Sequence, residues 1–273
     1  MTARVTVRPP FSRYRGAVNR RLYALHRWIS ALALVQLTIW LGSGLFFAAF
    51  PIERVRGSGA HTVVELLSPD DGVGVLSPPT ALGIAENAGL TSVRALELRP
   101  GGRGPVYVAR GSSSDYRVRL DARTGSLAPV DRDEAERTAA ADQGGRAGVR
   151  DAQLFEREPP LEYRDKPLPA WKVSLEDDAR TAIWIDGWTG EVTARRGDLW
   201  RTYDFLWSLH IMDYRGRESF HHPLLIGMAT LGLLTVLSGG ALWLVRISRR
   251  WRRSRGGRER SAADAAAADH FSR

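Results

Sequence analysis

The sequence predicts an α+β membrane protein in which two transmembrane helices flank an extracytoplasmic domain of two helix-plus-antiparallel-sheet repeats. Three observations carry this reading. Two long apolar runs contain no charge, arginine clusters adjoin both runs, and one turn motif occurs twice in the region between them.

The first apolar run is Ile29 to Phe50, 22 residues in which Gln36 is the only strongly polar side chain. The second is Leu224 to Val245, also 22 residues without a charge. A helix needs roughly 20 predominantly apolar residues to cross a bilayer, and buried helices of soluble domains seldom run so far without a charge. A signal peptide is the other reading of the first run. The run is long for a cleaved leader, and Phe47-Ala48-Ala49-Phe50 before Pro51 offers no clear small-x-small cleavage site. It therefore reads as an uncleaved anchor.

Charge gives the orientation. The chain has 39 Lys+Arg against 30 Asp+Glu, a formal net charge of +9. Residues 1–29 hold seven Arg and no acid, and residues 246–273 hold nine Arg against Glu259, Asp264 and Asp269. The excess thus sits in two tails around a slightly acidic middle, which argues against a nucleic-acid groove there. Arg13, Arg15, Arg20, Arg21 and Arg27 precede the first run, and Arg246, Arg249, Arg250, Arg252, Arg253 and Arg255 follow the second. Positive flanks stay in the cytoplasm, so both termini are expected inside a cytoplasmic membrane and residues 51–222 outside. The absence of Cys excludes disulfides, Fe–S clusters, thiolate zinc sites and a Cys nucleophile.

Small residues let helices approach in lipid. Ala31, Val35, Thr38, Gly42, Leu45 and Ala49 share one face of the first helix, and Met228, Gly232, Thr235 and Gly239 share one face of the second. These faces are expected to pair with each other, with a second copy or with another membrane protein.

The outer region contains an internal repeat. Alternating strands at residues 115–121 and 180–186 each lead into Asp-x-x-Thr-Gly, at Asp121–Gly125 and Asp186–Gly190, with a hydrophobic residue two positions later. The Asp carboxylate bonds back to turn amides and the Gly supplies positive φ, so each copy is expected to be a β-hairpin. As a turn former alone, Asp186→Ala costs about 0.5–2 kcal/mol. Val106–Ala109 and Trp171–Leu175 read as preceding strands, Val93–Leu98 as another, and Pro79–Gly89 and Arg132–Asp142 as helices. Residues 144–150 and 159–169 read as loops. Residues 199–212, with Trp200, Tyr203, Leu206, Trp207 and Ile211, read as an amphipathic helix at the outer interface. The resulting organisation is a basic tail (1–28), a span (29–50), two repeats (51–130 and 131–198), an interfacial helix and turn (199–222), a span (223–245) and a basic tail (246–273).

Helix, strand, strand, Asp-x-x-Thr-Gly turn and strand form a pattern that resembles the PepSY domain. Leu25-His26-Arg27-Trp28 at the first helix, Leu209-His210 before the second, and the small-residue stretch from Thr235 to Trp243 resemble elements of the PepSY-associated transmembrane helix family. The resemblance covers roughly residues 20–250. Many members of that family have four membrane helices, and some carry flavin reductase domains; this sequence has two apolar runs and no nucleotide-binding fingerprint. The resemblance implies two roles. One is an accessory in iron or siderophore uptake, with electrons passing through haem b held with a partner. The other is a binding module that restrains or senses an extracytoplasmic peptidase, or a scaffold of a membrane complex.

The candidate cofactor ligands are His26, His210, His221 and His222. His26 reads as an axial haem ligand or as an interfacial side chain beside Arg27 and Trp28. His210 reads as a ligand or as the polar edge of its helix, and His221 and His222 as metal or haem ligands or as a cap of the second helix. Two axial ligands must lie at one depth, and the hydrocarbon core is about 30 Å thick, so His26 cannot share a haem with the outer histidines. The basic turn Arg215-Gly216-Arg217 is expected to be flexible and to favour an anion such as a haem propionate, a siderophore carboxylate or lipid phosphate. No His-Glu-x-x-His or Gly-x-Ser-x-Gly motif is present.

The arginine asymmetry makes a direct prediction. A reporter fused after residue 120 should be active only outside the cytoplasm, and one fused after residue 255 only inside. The reverse pattern would invert the orientation.

Overall fold

The computed structural model describes residues 11–57, 68–112, 116–240, 243, 244 and 247, and the side chains of 11–26, Pro69 and Asp71 are not among them. The side chains of the arginines before Arg27 and of His26, the residue His61, and the arginines of the tail from 246 therefore fall outside the description. The chain is α+β. It forms two compact units, one built on the chain up to Gly44 and from Ser208 onward, the other running from Leu45 to Trp207.

The first unit is helical. Helix α1 runs Phe11–Ala49, 39 residues, well upstream of the apolar run itself. No Pro interrupts residues 11–49, and Pro51 stops the helix by disfavouring α geometry at Phe50. The second long helix, labelled α6 below, spans Pro223–Gly240. Both are long and apolar enough to cross a membrane. The face of α1 that is buried differs from the expected one. Ala33, Gln36 and Ser43 are buried, whereas Val35, Leu45 and the small residues Ala31, Thr38, Gly42 and Ala49 are exposed. The buried side carries the polar groups of Gln36 and Ser43, whereas the one hydroxyl of the small-residue stripe, on Thr38, bonds its own helix at Leu34 O. On α6, Gly232 is buried, and a Cβ there would lie 3.7 Å from Leu37, so this small residue does face α1.

The second unit takes in the end of α1 and the short helix α2 (Ile52–Val55), and then repeats one design. In the first half, α3 (Pro78–Asn87) is followed by β1 (Val93–Gly101), β2 (Gly104–Gly111) and β3 (Arg117–Asp121) in an antiparallel sheet of order β1-β2-β3. In the second half, α4 (Arg132–Asp142) is followed by β4 (Val149–Phe155), β5 (Ala170–Leu175), β6 (Ala182–Asp186) and β7 (Val192–Arg196) in sequential antiparallel order. Ser77 caps α3 through Thr80 N–H and Asp131 caps α4 through Glu134 N–H, side-chain caps that satisfy amides the helix cannot. From each cap, the fourth and eighth residues are fully buried alanines, Ala81 and Ala85 in one helix and Ala135 and Ala139 in the other. These methyls let each helix sit close on its sheet. Tyr107, Ala109, Val118 and Leu120 complete the first core, and Val173, Leu175, Ile183 and Ile185 the second.

The two Asp turns match in their backbone hydrogen bonds. Asp121 Oδ1 accepts from Arg123 N (2.9 Å) and Thr124 N (2.7 Å), and Asp186 Oδ1 accepts from Trp188 N (2.8 Å) and Thr189 N (2.9 Å). Gly125 and Gly190 have φ of +75° and +76°. A Cβ at Gly125 would also come within 2.6 Å of Ile84, whereas at Gly190 the nearest contact is an ordinary 3.7 Å. The match includes a proline absent from the motif as read in the sequence. Ala122 N donates to Pro105 O (3.0 Å) and Gly187 N to Pro169 O (2.8 Å).

Two expectations change. The return strand of the first hairpin shrinks to a single bridge, Leu120 to Leu127, while in the second it is all of β7. Residues 149 and 150, read as the end of a loop, open β4. In that strand only Ala152 is buried, and Val149, Ala152, Leu154 and Phe155 do not alternate, so it lacks an apolar alternation to read.

The larger surprise is the second face of the first sheet. Val118 and Leu120 point into the α3 core, so alternation turns Arg117 and Arg119 to the opposite side. That side is not in water. Arg117 Nη2 lies 2.8 Å from Asp186 Oδ2, as an off-axis ion pair, with both side chains only 3–4% exposed. Arg119 grips Glu134 of α4 through both terminal nitrogens, at 2.6 and 3.1 Å. Arg99 and Arg110 converge on Glu191 at 2.6 and 2.8 Å, and Arg103 reaches Asp131 at 2.8 Å. Every one of these pairs sets an arginine of the first half against an acid of the second. Burial alone would raise the Glu191 carboxyl, but its bonds to Arg99 and Arg110 outweigh burial and hold it below its ordinary value.

Asp186 is therefore more than a turn former, and its removal should cost more than the loss of turn bonds. Asp186→Ala leaves the Arg117 guanidinium buried without its carboxylate, which costs about 3–5 kcal/mol. Asp121→Ala, on a more exposed turn, should cost about 0.5–2 kcal/mol. Urea unfolding of the full chain in detergent, followed by tryptophan fluorescence, measures both; equal losses would contradict the pairing across the two halves.

Candidate functional site

The histidines singled out in the sequence are reached through helix α5, Asp198–Ile211. Its aromatic stripe does not lie open. Within the second unit, Tyr203 and Trp207 pack on Phe47 of α1, with ring centroids 4.6 and 5.9 Å apart. Its polar side is held by Asp204, which pairs with Arg164 at 2.8 Å.

Within the first unit, α5 ends beside the polar face of α1. Trp40 Nε1 donates to His210 O at 2.7 Å. Ser43 Oγ lies 2.7 Å from both Ile39 O and His210 Nδ1. A hydroxyl has one proton, and a carbonyl can only accept. With that proton on Ile39 O, Ser43 accepts from His210 Nδ1–H; with it on the ring, Nδ1 accepts from Ser43, so the contact orients the imidazole in either tautomer. Burial holds His210 below the usual imidazole value and so favours the neutral ring. Gln36, on the same helix face as Ala33 and Ser43, is 8% exposed and its Nε2 has no hydrogen-bond partner among the described residues.

His222 has a different task. Its Nε2 lies 2.9 Å from Ile211 O, so it donates there, while Nδ1 accepts from Leu225 N at 3.4 Å. His222 thus ties the last turn of α5 to the first turn of α6. Both its nitrogens are engaged in this cap. His221 is exposed, and its backbone N–H bonds to Ser219 Oγ at 3.3 Å. Of the four candidate ligands, the structure places His210 against α1, His222 at the start of α6 and His221 on the surface, and the His26 side chain is not described. Among the described residues, no three His, Asp or Glu side chains converge as a metal site.

The loop between the helices is built differently from the flexible basic turn expected of Arg215-Gly216-Arg217. Asp213 organises it. Oδ1 accepts from Arg215 N and Gly216 N at 3.2 and 3.0 Å, and Oδ2 accepts from Glu218 N and Ser219 N, both at 3.1 Å. Met212 and Arg217 adopt left-handed φ of +59° and +60°, which wraps the chain around the carboxylate. The backbone donors that would suit an external anion are already used by an internal one. Bonds to Glu218 and Ser219 N–H, the largest of several such contributions, hold the Asp213 carboxyl far below its ordinary range.

Sequence reasoning missed Ser43, Trp40 and Asp213. The first two sit in an apolar run, where a hydroxyl and an indole read as span residues, and Asp213 is a lone acid before a basic triplet. Compared with family models, curated proteins and solved structures, the chain finds no match.

A depressed carboxyl stabilises the folded loop above its unfolded-state value, and that contribution is lost as pH falls through the folded value. The loop should therefore stay formed from neutral pH down to about pH 4. Asp213→Asn should speed amide exchange of Gly216, Glu218 and Ser219 by about tenfold or more at pH 7, with the two Asp-x-x-Thr-Gly turns unchanged. Unchanged exchange in the loop would refute its construction around Asp213.

Proposed function

We propose that the chain is an integral membrane protein that holds its α+β unit outside the cytoplasm as a binding module. The observation that carries this reading is the exposure of the two apolar helices. Only 17% of the most apolar stretch of α1 and 6% of that of α6 is buried. A core helix of a soluble domain is mostly buried, and apolar surface on this scale calls for lipid or a membrane partner. Trp28, before the first apolar run, and Trp243, at the end of the second, are both exposed. In a helical hairpin they fall on the same side, as an aromatic belt does. The arginine clusters put that side in the cytoplasm, so residues 51–222 face outward from a cytoplasmic membrane.

The partner class comes from the resemblance to the PepSY domain, whose modules are associated with inhibition of extracytoplasmic peptidases. The α+β unit suits that role because its two halves are clamped into one body by ion pairs, and among the described residues it carries no hydrolytic constellation.

A second reading, an accessory of iron or siderophore uptake that passes electrons through haem b, is favoured by one observation. Ser43 Oγ meets His210 Nδ1 at 2.7 Å, a contact that orients the ring as bonds to the far nitrogen orient ligating imidazoles. With His222 committed as a cap, the second axial ligand would come from His210 of another copy or from a different membrane protein.

Two measurements on full-length protein purified from haem-replete cells separate these readings. The binding-module reading expects digestion of residues 51–222 by protease added to spheroplasts, no Soret band, and capture of an extracytoplasmic peptidase by the intact protein. A Soret band lost in His210→Ala would establish the redox reading instead. Protection of the middle region from protease would overturn the topology on which both stand.

A further inference from the structure

A cleft of about 380 Å³ opens on the face of the second sheet opposite α4. Arg150, Lys172, Arg180, Arg201, Ser174 and Thr181 line it, and they come from four separate segments of the chain. We propose that this cleft binds a small multivalent oxyanion, a phosphate or a compact polycarboxylate. The inference does not depend on the membrane reading.

Register explains how the side chains converge. Ser174 of β5 faces Ala182 of β6 and Asp151 of β4, and Lys172 lies two residues before it on the same face. A bulge between Val149 and Asp151 makes Arg150 the extra residue of β4, and bulges re-aim side chains next to functional sites. Arg180 stands at the turn before β6 with a left-handed φ of +49°. Arg201 comes from the first turn of α5.

The cations are held in place from behind. Glu162 bonds Lys172 at 2.5 Å and Arg201 at 3.3 Å. Asp198 bonds Arg180 at 3.0 Å and Arg201 at 3.3 Å. Arg150 forms no ion pair among the described residues, and the Ser174 and Thr181 hydroxyls make no hydrogen bond among them. Four cations thus meet three acids, Asp151 of the lining and the two supports, which leaves one positive charge and two hydroxyl donors toward the opening. Guanidinium forks and hydroxyls match the geometry of phosphate and carboxylate oxygens. The volume is at the lower end for ligand pockets, so the ligand is small.

The test is calorimetric titration of the full chain, in phosphate-free detergent at low ionic strength, with inorganic phosphate and separately with citrate. At least one should bind with Kd of about 1 mM or tighter and weaken as NaCl is added. Phosphate binding alone would point to a phosphorylated ligand, and citrate binding alone to a polycarboxylate. Arg150→Gln should lower the affinity by about tenfold or more with an unchanged melting curve, because Arg150 is exposed and outside the supporting pairs. Arg94→Gln, on the surface of the first sheet, should bind like wild type. No binding of either anion at about 10 mM, wild-type affinity in Arg150→Gln, or equal loss in Arg94→Gln would overturn the proposal and leave the cleft as an ion-pair network only.

Discussion

Arg117 and Arg119 sit on a strand whose other side chains build the first core, yet both arginines are buried. Each half of the α+β unit is small, and domains of about 60 residues bury too little surface to be more than marginally stable alone. The first half has only a three-stranded sheet with a helix on one side. Its second face cannot remain open, because Val106 and Val108 there are nearly fully buried. The second half covers that face, and the acids that meet the arginines are Asp186 at a turn and Glu134 in the first turn of α4. Both acids already hold local roles at their turn and helix start. One carboxylate therefore serves the shape of its own half and the docking of the other.

Buried ion pairs are weak sources of net stability but strong determinants of arrangement, since a mispaired guanidinium in the interior is very costly. The alternative dockings of two similar halves would separate Arg117 from Asp186 and Arg119 from Glu134 together. The outer pairs at Glu191 and Asp131 add direction at the rim, where solvent screens them and their energetic worth is small. On the proposed reading, this gives the outward unit one fixed surface. Within the helical unit, polar side chains play the same part on a smaller scale. Ser43 and Trp40 bind the end of α5, and His222 binds α5 to α6.

Local signals in the sequence were legible where the chain itself satisfies them. Helix α4 is found over the residues its pattern marks, both Asp-x-x-Thr-Gly turns form with positive φ at Gly125 and Gly190, and the first apolar run to Ala49 and the second to Gly240 are helical. Strand β4 was illegible because its apolar residues do not alternate. The alternation of Arg117, Val118, Arg119 and Leu120 reveals that the arginines share a face, but not that a second half covers it. Asp213 was hidden for a related reason. A carboxylate that gathers four backbone amides depends on left-handed turns at Met212 and Arg217, and neither residue type announces such a turn. The candidate site was legible in its members but not in their roles. His222 lies where the sequence puts it, at the head of α6, and only the positions of Ile211 O and Leu225 N make it a cap.

The central claim is that the two halves of the α+β unit are one cooperative body because arginines of the first are neutralised by acids of the second. Native-state hydrogen exchange on the full chain tests it most directly. Amides of β2 and β3 and amides of β5 and β6 should exchange with the same opening free energy, and Arg117→Ala should lower both together. Separate opening energies for the two sheets, with β5 and β6 still protected when β2 and β3 exchange, would contradict it.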